Sequence, residues 1–161
     1  MRGTAHKVAL TAHVLGSVGW FGAAVVVAFC GLTAAATEDP TLPTALYRTM
    51  ETAVWITLPL GLVTVATGAL LSLGTVWGFV RHWWIVAKIA ITVAVLVTDP
   101  LVVAPAAREA LDAGTAPTQL YGSTVAHCVM LAVATTLSVL KPRGRTPLGR
   151  RRAPAPASTA G

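Results

Sequence analysis

Charge is scarce in this chain. Asp, Glu, Lys and Arg make up 11% of its 161 residues, hydrophobic residues 55%, and the mean hydropathy is +0.70. A soluble domain carries about 25% charged residues, so that class is excluded and an integral membrane protein is implied. Cysteine is almost absent. Cys30 and Cys128 each lie inside an apolar run with no CxxC or Cys/His spacing, which excludes a disulfide framework and a zinc site and leaves both as small hydrophobes. Soft copper ligation is not supported either, because Met50 and Met130 are isolated. There is no Gly-x-Ser-x-Gly elbow, His-Glu-x-x-His, glycine-rich phosphate loop or inward pair of carboxylates, so nothing speaks for hydrolase or nucleotide chemistry. Whether the chain is an enzyme stays open.

What is present is four apolar runs. The first, Val8 to Ala36, exceeds the roughly 20 residues that cross a bilayer and is too long for a signal-peptide core of about 7 to 15 residues. His13, Ser17 and Trp20 share one helical face with His6, Ala9, Ala24 and Gly31. Thr37 to Pro43 is a turn. A second helix is expected over about 44–75, with Thr57, Gly61, Thr64, Gly68 and Ser72 as a small, weakly polar packing stripe and Pro59 as a kink. Gly74 to Arg81 is a tight connection, with Trp77 at the boundary of the apolar layer. The third helix is expected over 82–103, followed by a polar outer loop with Pro100, Pro105, Arg108, Glu109, Asp112, Gly114 and Pro117. The fourth, over 119–140, carries Ser123, His127, Ala134 and Ser138 on one face.

The fold expected is an all-α, up-down-up-down four-helix transmembrane bundle over residues 1–141, with a basic, Pro/Ala-rich disordered tail over 142–161. With the N-terminus in the cytoplasm, the inner segments hold nine Lys and Arg and the outer ones only Arg48 and Arg108, so both termini are expected in the cytoplasm of a bacterial inner membrane. The net charge is +6, and six of the twelve basic residues are Lys141, Arg143, Arg145, Arg150, Arg151 and Arg152. Concentrated in a tail at the membrane surface, they point to anionic lipid rather than nucleic acid.

The stretch from Arg81 to Pro100 places Lys88 and Asp99 in a span otherwise fit for lipid. At about 100° per residue Arg81, Trp84, Lys88, Thr92, Val95 and Asp99 fall on one face. That face must look at protein or water, since a charge facing hydrocarbon costs about 2.5 to 3.5 kcal/mol. A rise of about 1.5 Å per residue puts His13 and Lys88 roughly 7 Å in from the cytoplasmic ends, Trp20, Thr64 and His127 roughly 18 to 20 Å in, and Asp99 roughly 24 Å in. Lys88 and Asp99 are therefore not an ion pair, while Asp99 and His127 are close enough in level to hydrogen-bond. Snorkelling to the interface is the simple role for Lys88, counter-charge to a ligand carboxylate the specific one. The helix-end position by Pro100 is the simple role for Asp99, and a hydrogen-bonded interior position is the simple role for each histidine.

Three stretches resemble one family of uncharacterised bacterial four-helix integral membrane proteins. They are Ser72-Leu73-Gly74-Thr75-Val76-Trp77-Gly78-Phe79-Val80-Arg81-His82-Trp83-Trp84 with Lys88, then Leu10-Thr11-Ala12-His13 through Gly19-Trp20-Phe21-Gly22-Ala23, and Leu137-Ser138-Val139-Leu140-Lys141-Pro142-Arg143-Gly144. That family is in turn distantly similar to the copper-resistance D type of membrane protein and to the four-helix, haem-containing protoporphyrinogen oxidase. Tyrosine would be more typical of relatives at Trp83 and Leu140, and a histidine near Thr98-Asp99-Pro100.

The leading expectation is a membrane protein that binds a small ligand or membrane partner through a polar interior of Trp20, Thr64, Thr92 and Asp99, with His13, Lys88 and His127 the candidate cofactor-binding residues. The resemblance implies an alternative, a haem b redox protein. Axial ligation by His13 and His127 together is disfavoured by their difference in depth of roughly 12 Å, which leaves a single-histidine haem. A proton or small-solute pathway is a third reading and calls for a homo-oligomer. No metal site beyond haem is expected.

Overall fold

The computed structural model describes residues 3–73, 82–142, 144, 146 and 147. Four of its segments are helical, long and apolar enough to cross a membrane: Thr4–Ala36, Leu42–Leu73, Trp83–Ala113 and Thr118–Leu140. They form an all-α four-helix bundle in which α1 (Thr4–Ala36) packs on α2 (Leu42–Leu73) and α5 (Thr118–Leu140). Large apolar side chains such as Leu15, Val18, Phe29, Ile56 and Val129 cover the outside, as a lipid-facing surface requires. The interior is built from small residues and hydroxyls, which let backbones approach closely. A Cβ on Gly61 would stand 2.7 Å from Leu96 and 3.0 Å from Trp20.

The third span differs from the sequence expectation. It comprises α3 (Trp83–Thr98), a π turn (Asp99–Val103) and α4 (Ala104–Ala113) end to end. The expected helix end at Val103 and the outer loop from Pro100 are thus corrected: the connection is only the segment after Ala113, opened by Gly114 at φ +70. A proline cannot donate to the carbonyl one turn back, and the π turn is the local rearrangement that accommodates Pro100. The polar residues that suggested a loop are the outer face of an amphipathic helix. Arg108, Glu109 and Asp112 are exposed, while Val103, Ala106, Ala107 and Ala110, at helical spacing, are buried against Tyr47, Met50 and Leu120.

The third span does not run evenly along α2. α4 is packed on α2 near the end of the bundle that carries the α1–α2 and α4–α5 turns, here the loop end, and α2 meets α3 less extensively than it meets α4, toward the end that carries both termini and the α2–α3 connection. A cavity lies between α2 and α3 in that half. Past Leu140 the chain turns through Lys141 at φ +43, and the Gly144 carbonyl accepts the Trp83 N–H at 3.4 Å. Thr146 is buried. Arg81, Trp77, Arg143, Arg145, Arg150, Arg151 and Arg152 lie outside the described residues.

Candidate functional site

Of the residues placed on inward faces by helical spacing, Trp20, Ala24, Thr57, Thr64, Thr92, Val95, His127 and Ala134 are buried. They resolve into two polar levels with an apolar layer between them. At the loop end the level is a closed cluster. The Thr57 hydroxyl of α2 donates to the Asp99 carboxylate, and His127 Nδ1 of α5 lies 3.7 Å from the other Asp99 oxygen. That separation makes an ion pair when His127 is protonated, but it is too long for the Asp–His hydrogen bond expected from the sequence. His127 instead bonds Thr98 through Nε2, at 2.8 Å. The Thr98 hydroxyl also lies 2.7 Å from the Ala94 carbonyl, which accepts from it. The cavity beside these groups is only about 10 Å³, room for no more than a water molecule.

The middle layer is Trp20, Ala24, Val95 and Leu131, all buried; Trp20 is 2% exposed. Trp20 lines both the small loop-end cavity and a larger one on its other side. The expected polar file through the interior is therefore interrupted: His13, Lys88 and Thr92 are on one side of the layer, His127 and Asp99 on the other.

The second level, toward the termini end, is open. A cavity of about 410 Å³ lies between α2 and α3, with Val65, Gly68, Ala69, Ile85 and Ile89 among its walls. Lys88, His13 and Lys141 are its ionisable residues. A second cavity of about 240 Å³ lies across His13, Lys88 and Thr92 from the first, between α1 and α5. The two hydroxyls expected to be polar lining groups are turned back into their own helices, Thr64 to the Leu60 carbonyl at 2.8 Å and Thr92 to the Lys88 carbonyl at 2.9 Å. The imidazole and the two lysines are the ionisable groups there that can meet a ligand.

The orientation of His13 is determined by its neighbours. Nδ1 stands 3.0 Å from the Thr64 carbonyl and 3.1 Å from the Thr67 hydroxyl oxygen, whose own proton is given to the Val63 carbonyl at 2.6 Å. Both neighbours can only accept, so Nδ1 carries the hydrogen and neutral His13 keeps its lone pair on Nε2. Nε2 makes no hydrogen bond among the described residues. Gly68 makes room for the ring, since a Cβ there would sit 3.1 Å from His13 Cε1.

The sequence-based depths need one correction. His13 is bonded to Thr64, not roughly 11 Å above it. The physical reason is that α1 begins at Thr4, about one turn before the apolar run does, so His13 lies deeper than a count from Val8 gives. The two levels themselves stand.

All six acidic residues fall at Glu38, Asp39, Glu51, Asp99, Glu109 and Asp112, in the half of the bundle toward the loop end. Among the described residues no carboxylate lies within 4.0 Å of Lys88 or Lys141. The termini-end cavity is thus an apolar cleft with cations and, among the described residues, no carboxylate within 4.0 Å to pair them. No group of three or more metal-ligating side chains occurs among the described residues. No family model, curated protein or solved structure matches this chain, so no role comes to it from a relative.

Proposed function

We propose that this chain is a multi-pass integral membrane protein that binds a small amphipathic molecule in the cavity between α2 and α3. The observation that carries the reading is the combination of apolar walls with Lys88, Lys141 and the free Nε2 of His13 in a cleft of about 410 Å³. An apolar pocket with a few converging polar groups is the usual form of a small-molecule site. The cations then serve as counter-charges to the ligand. Positive-inside asymmetry supports placing both termini, and this cavity, on the cytoplasmic side of a bacterial inner membrane, with the basic tail on anionic lipid. A reporter fused after Gly161 reads the orientation, and an external signal would reverse it. Mass spectrometry of the protein purified in mild detergent tests the binding: a retained amphiphile lost in Ala69→Trp, which fills the cavity, supports it, and retention unaffected by that change rejects it.

One observation favours haem as a second reading. Histidines that ligate metals commonly donate their other ring N–H to a carbonyl, as His13 Nδ1 does to Thr64. A single-histidine haem on His13 Nε2, its propionates on the lysines, gives a Soret band that His13→Ala abolishes. A colourless preparation from haem-replete cells eliminates it. The pathway reading is the least supported, because Trp20, Val95 and Leu131 separate the two polar levels.

A further inference from the structure

We propose that the occupant of the termini-end cavity is a membrane phospholipid whose headgroup combines an anionic phosphate with free hydroxyls. Its phosphate lies between Lys88 and Lys141, a headgroup hydroxyl donates to His13 Nε2, and its acyl chains leave through the α2–α3 seam. This deepens the amphiphile reading and rests on it.

Three observations narrow the ligand to this class. The first is charge. Two lysines face one cavity, no carboxylate is within 4.0 Å of either among the described residues, and every acid of the chain lies in the other half of the bundle. A half-buried ammonium is costly without an anion, and a phosphate supplies one with oxygens enough for both lysines. The second is the His13 tautomer. A neutral Nε2 with its lone pair free accepts a hydrogen bond, which a phosphodiester or carboxylate cannot donate but a hydroxyl can. An anionic lipid without hydroxyls therefore satisfies the lysines and not the histidine. The third is access. The cavity lies between α2 and α3, and its walls include Val65, Ile85 and Ile89, so a chain anchored by its headgroup passes into the bilayer along apolar side chains. Lys141 directly follows the last residue of α5 and stands where headgroups lie; Lys88, in the second turn of α3, lies just below.

The test uses the full chain in mild detergent and three lipids of matched chain length. Phosphatidylglycerol has charge and hydroxyls, phosphatidylmethanol has the charge alone, and phosphatidylethanolamine has no net charge. Native mass spectrometry reads the fraction of protein retaining one lipid. Phosphatidylglycerol is expected to be retained best and phosphatidylethanolamine least. Lys88→Gln should lower phosphatidylglycerol retention about tenfold, the scale of one charge-assisted hydrogen bond, and Lys88→Arg should restore it. His13→Ala should erase the preference over phosphatidylmethanol while keeping the preference over phosphatidylethanolamine. Equal retention of all three lipids, still abolished by Ala69→Trp, overturns the headgroup assignment and leaves the amphiphile site standing. Retention insensitive to Ala69→Trp overturns both. If phosphatidylglycerol survives Lys88→Gln but is lost when Arg150, Arg151 and Arg152 are all changed to Gln, the lipid belongs to the tail and the proposal fails.

Discussion

The two halves of this bundle solve opposite problems with the same four spans. Toward the loop end, α2 meets the π turn and α4 across alanines that are wholly buried, a tyrosine pair bonds at 3.0 Å between Tyr47 and Tyr121, and the one interior acid has its partners. Toward the termini end, the half-buried Lys88 and the exposed Lys141 line one cavity with no carboxylate within 4.0 Å of either among the described residues. The difference teaches that the loop-end half holds the bundle together and frees the other half to remain unsatisfied. A site can tolerate unpaired charge only where another part of the molecule supplies the stability.

The largest effect is expected where the halves meet. Trp20→Ala removes the bulk of the apolar layer and should cost about 3 to 5 kcal/mol, read as a fall in the denaturation midpoint in detergent. A change no larger than that of a lipid-facing substitution such as Phe29→Ala would show that the layer does not join the halves. Next comes the loop-end cluster. Asp99→Ala strands the Thr57 hydroxyl in the interior and should destabilise by about 1 to 3 kcal/mol, with Asp99→Asn closer to the parent because it still accepts the bond. The termini-end cavity should respond with the opposite sign. In lipid-free detergent, Lys88→Met replaces an uncompensated ammonium by an apolar chain of similar length and should leave the midpoint unchanged or raise it by about 1 kcal/mol. A clear loss would mean that Lys88 has a protein partner and would dissolve the contrast.

The smallest effect is at the α1–α2 turn. Asp39 accepts the backbone N–H and the hydroxyl of Thr41, each at 2.8 Å, and these bonds hold its carboxyl below the usual carboxylate range. Its contribution is fully present above the ordinary carboxylate pKa and is lost as the pH falls through the lowered folded value. Amide exchange in the first turn of α2 should therefore speed up only in strong acid, and Asp39→Ala should remove that dependence without shifting the global midpoint.

Much of this was legible beforehand, because lipid imposes strong rules on composition. The four spans, the inward faces through Trp20, Thr64, Thr92 and His127, and the separation of Lys88 from Asp99 all follow from apolar length and helical spacing. What spacing could not convey was the helical continuation of the third span beyond Val103. Pro100 and the polar residues after it look like a loop, and only the alternation of Val103, Ala106, Ala107 and Ala110 carried the helical signal. Alanine is a weak marker of burial, so the stripe was easily missed. Hydroxyl satisfaction was equally invisible: a threonine that bonds its own helix and one that reaches across, such as Thr57, have the same letter. The cavity itself lies between two helices, a property of pairs that no single run of residues encodes.

The apolar layer around Trp20 has an electrical consequence. A voltage across the membrane falls mainly over its driest section, and moving one elementary charge through all of it is worth about 2.3 kcal/mol per 100 mV. The cleft of Lys88 and Lys141 lies on one side of that section and is open to its own side, so it stays near the potential of the neighbouring compartment. An anion taken up there crosses little of the field, and its affinity should be nearly the same in energised and de-energised membranes.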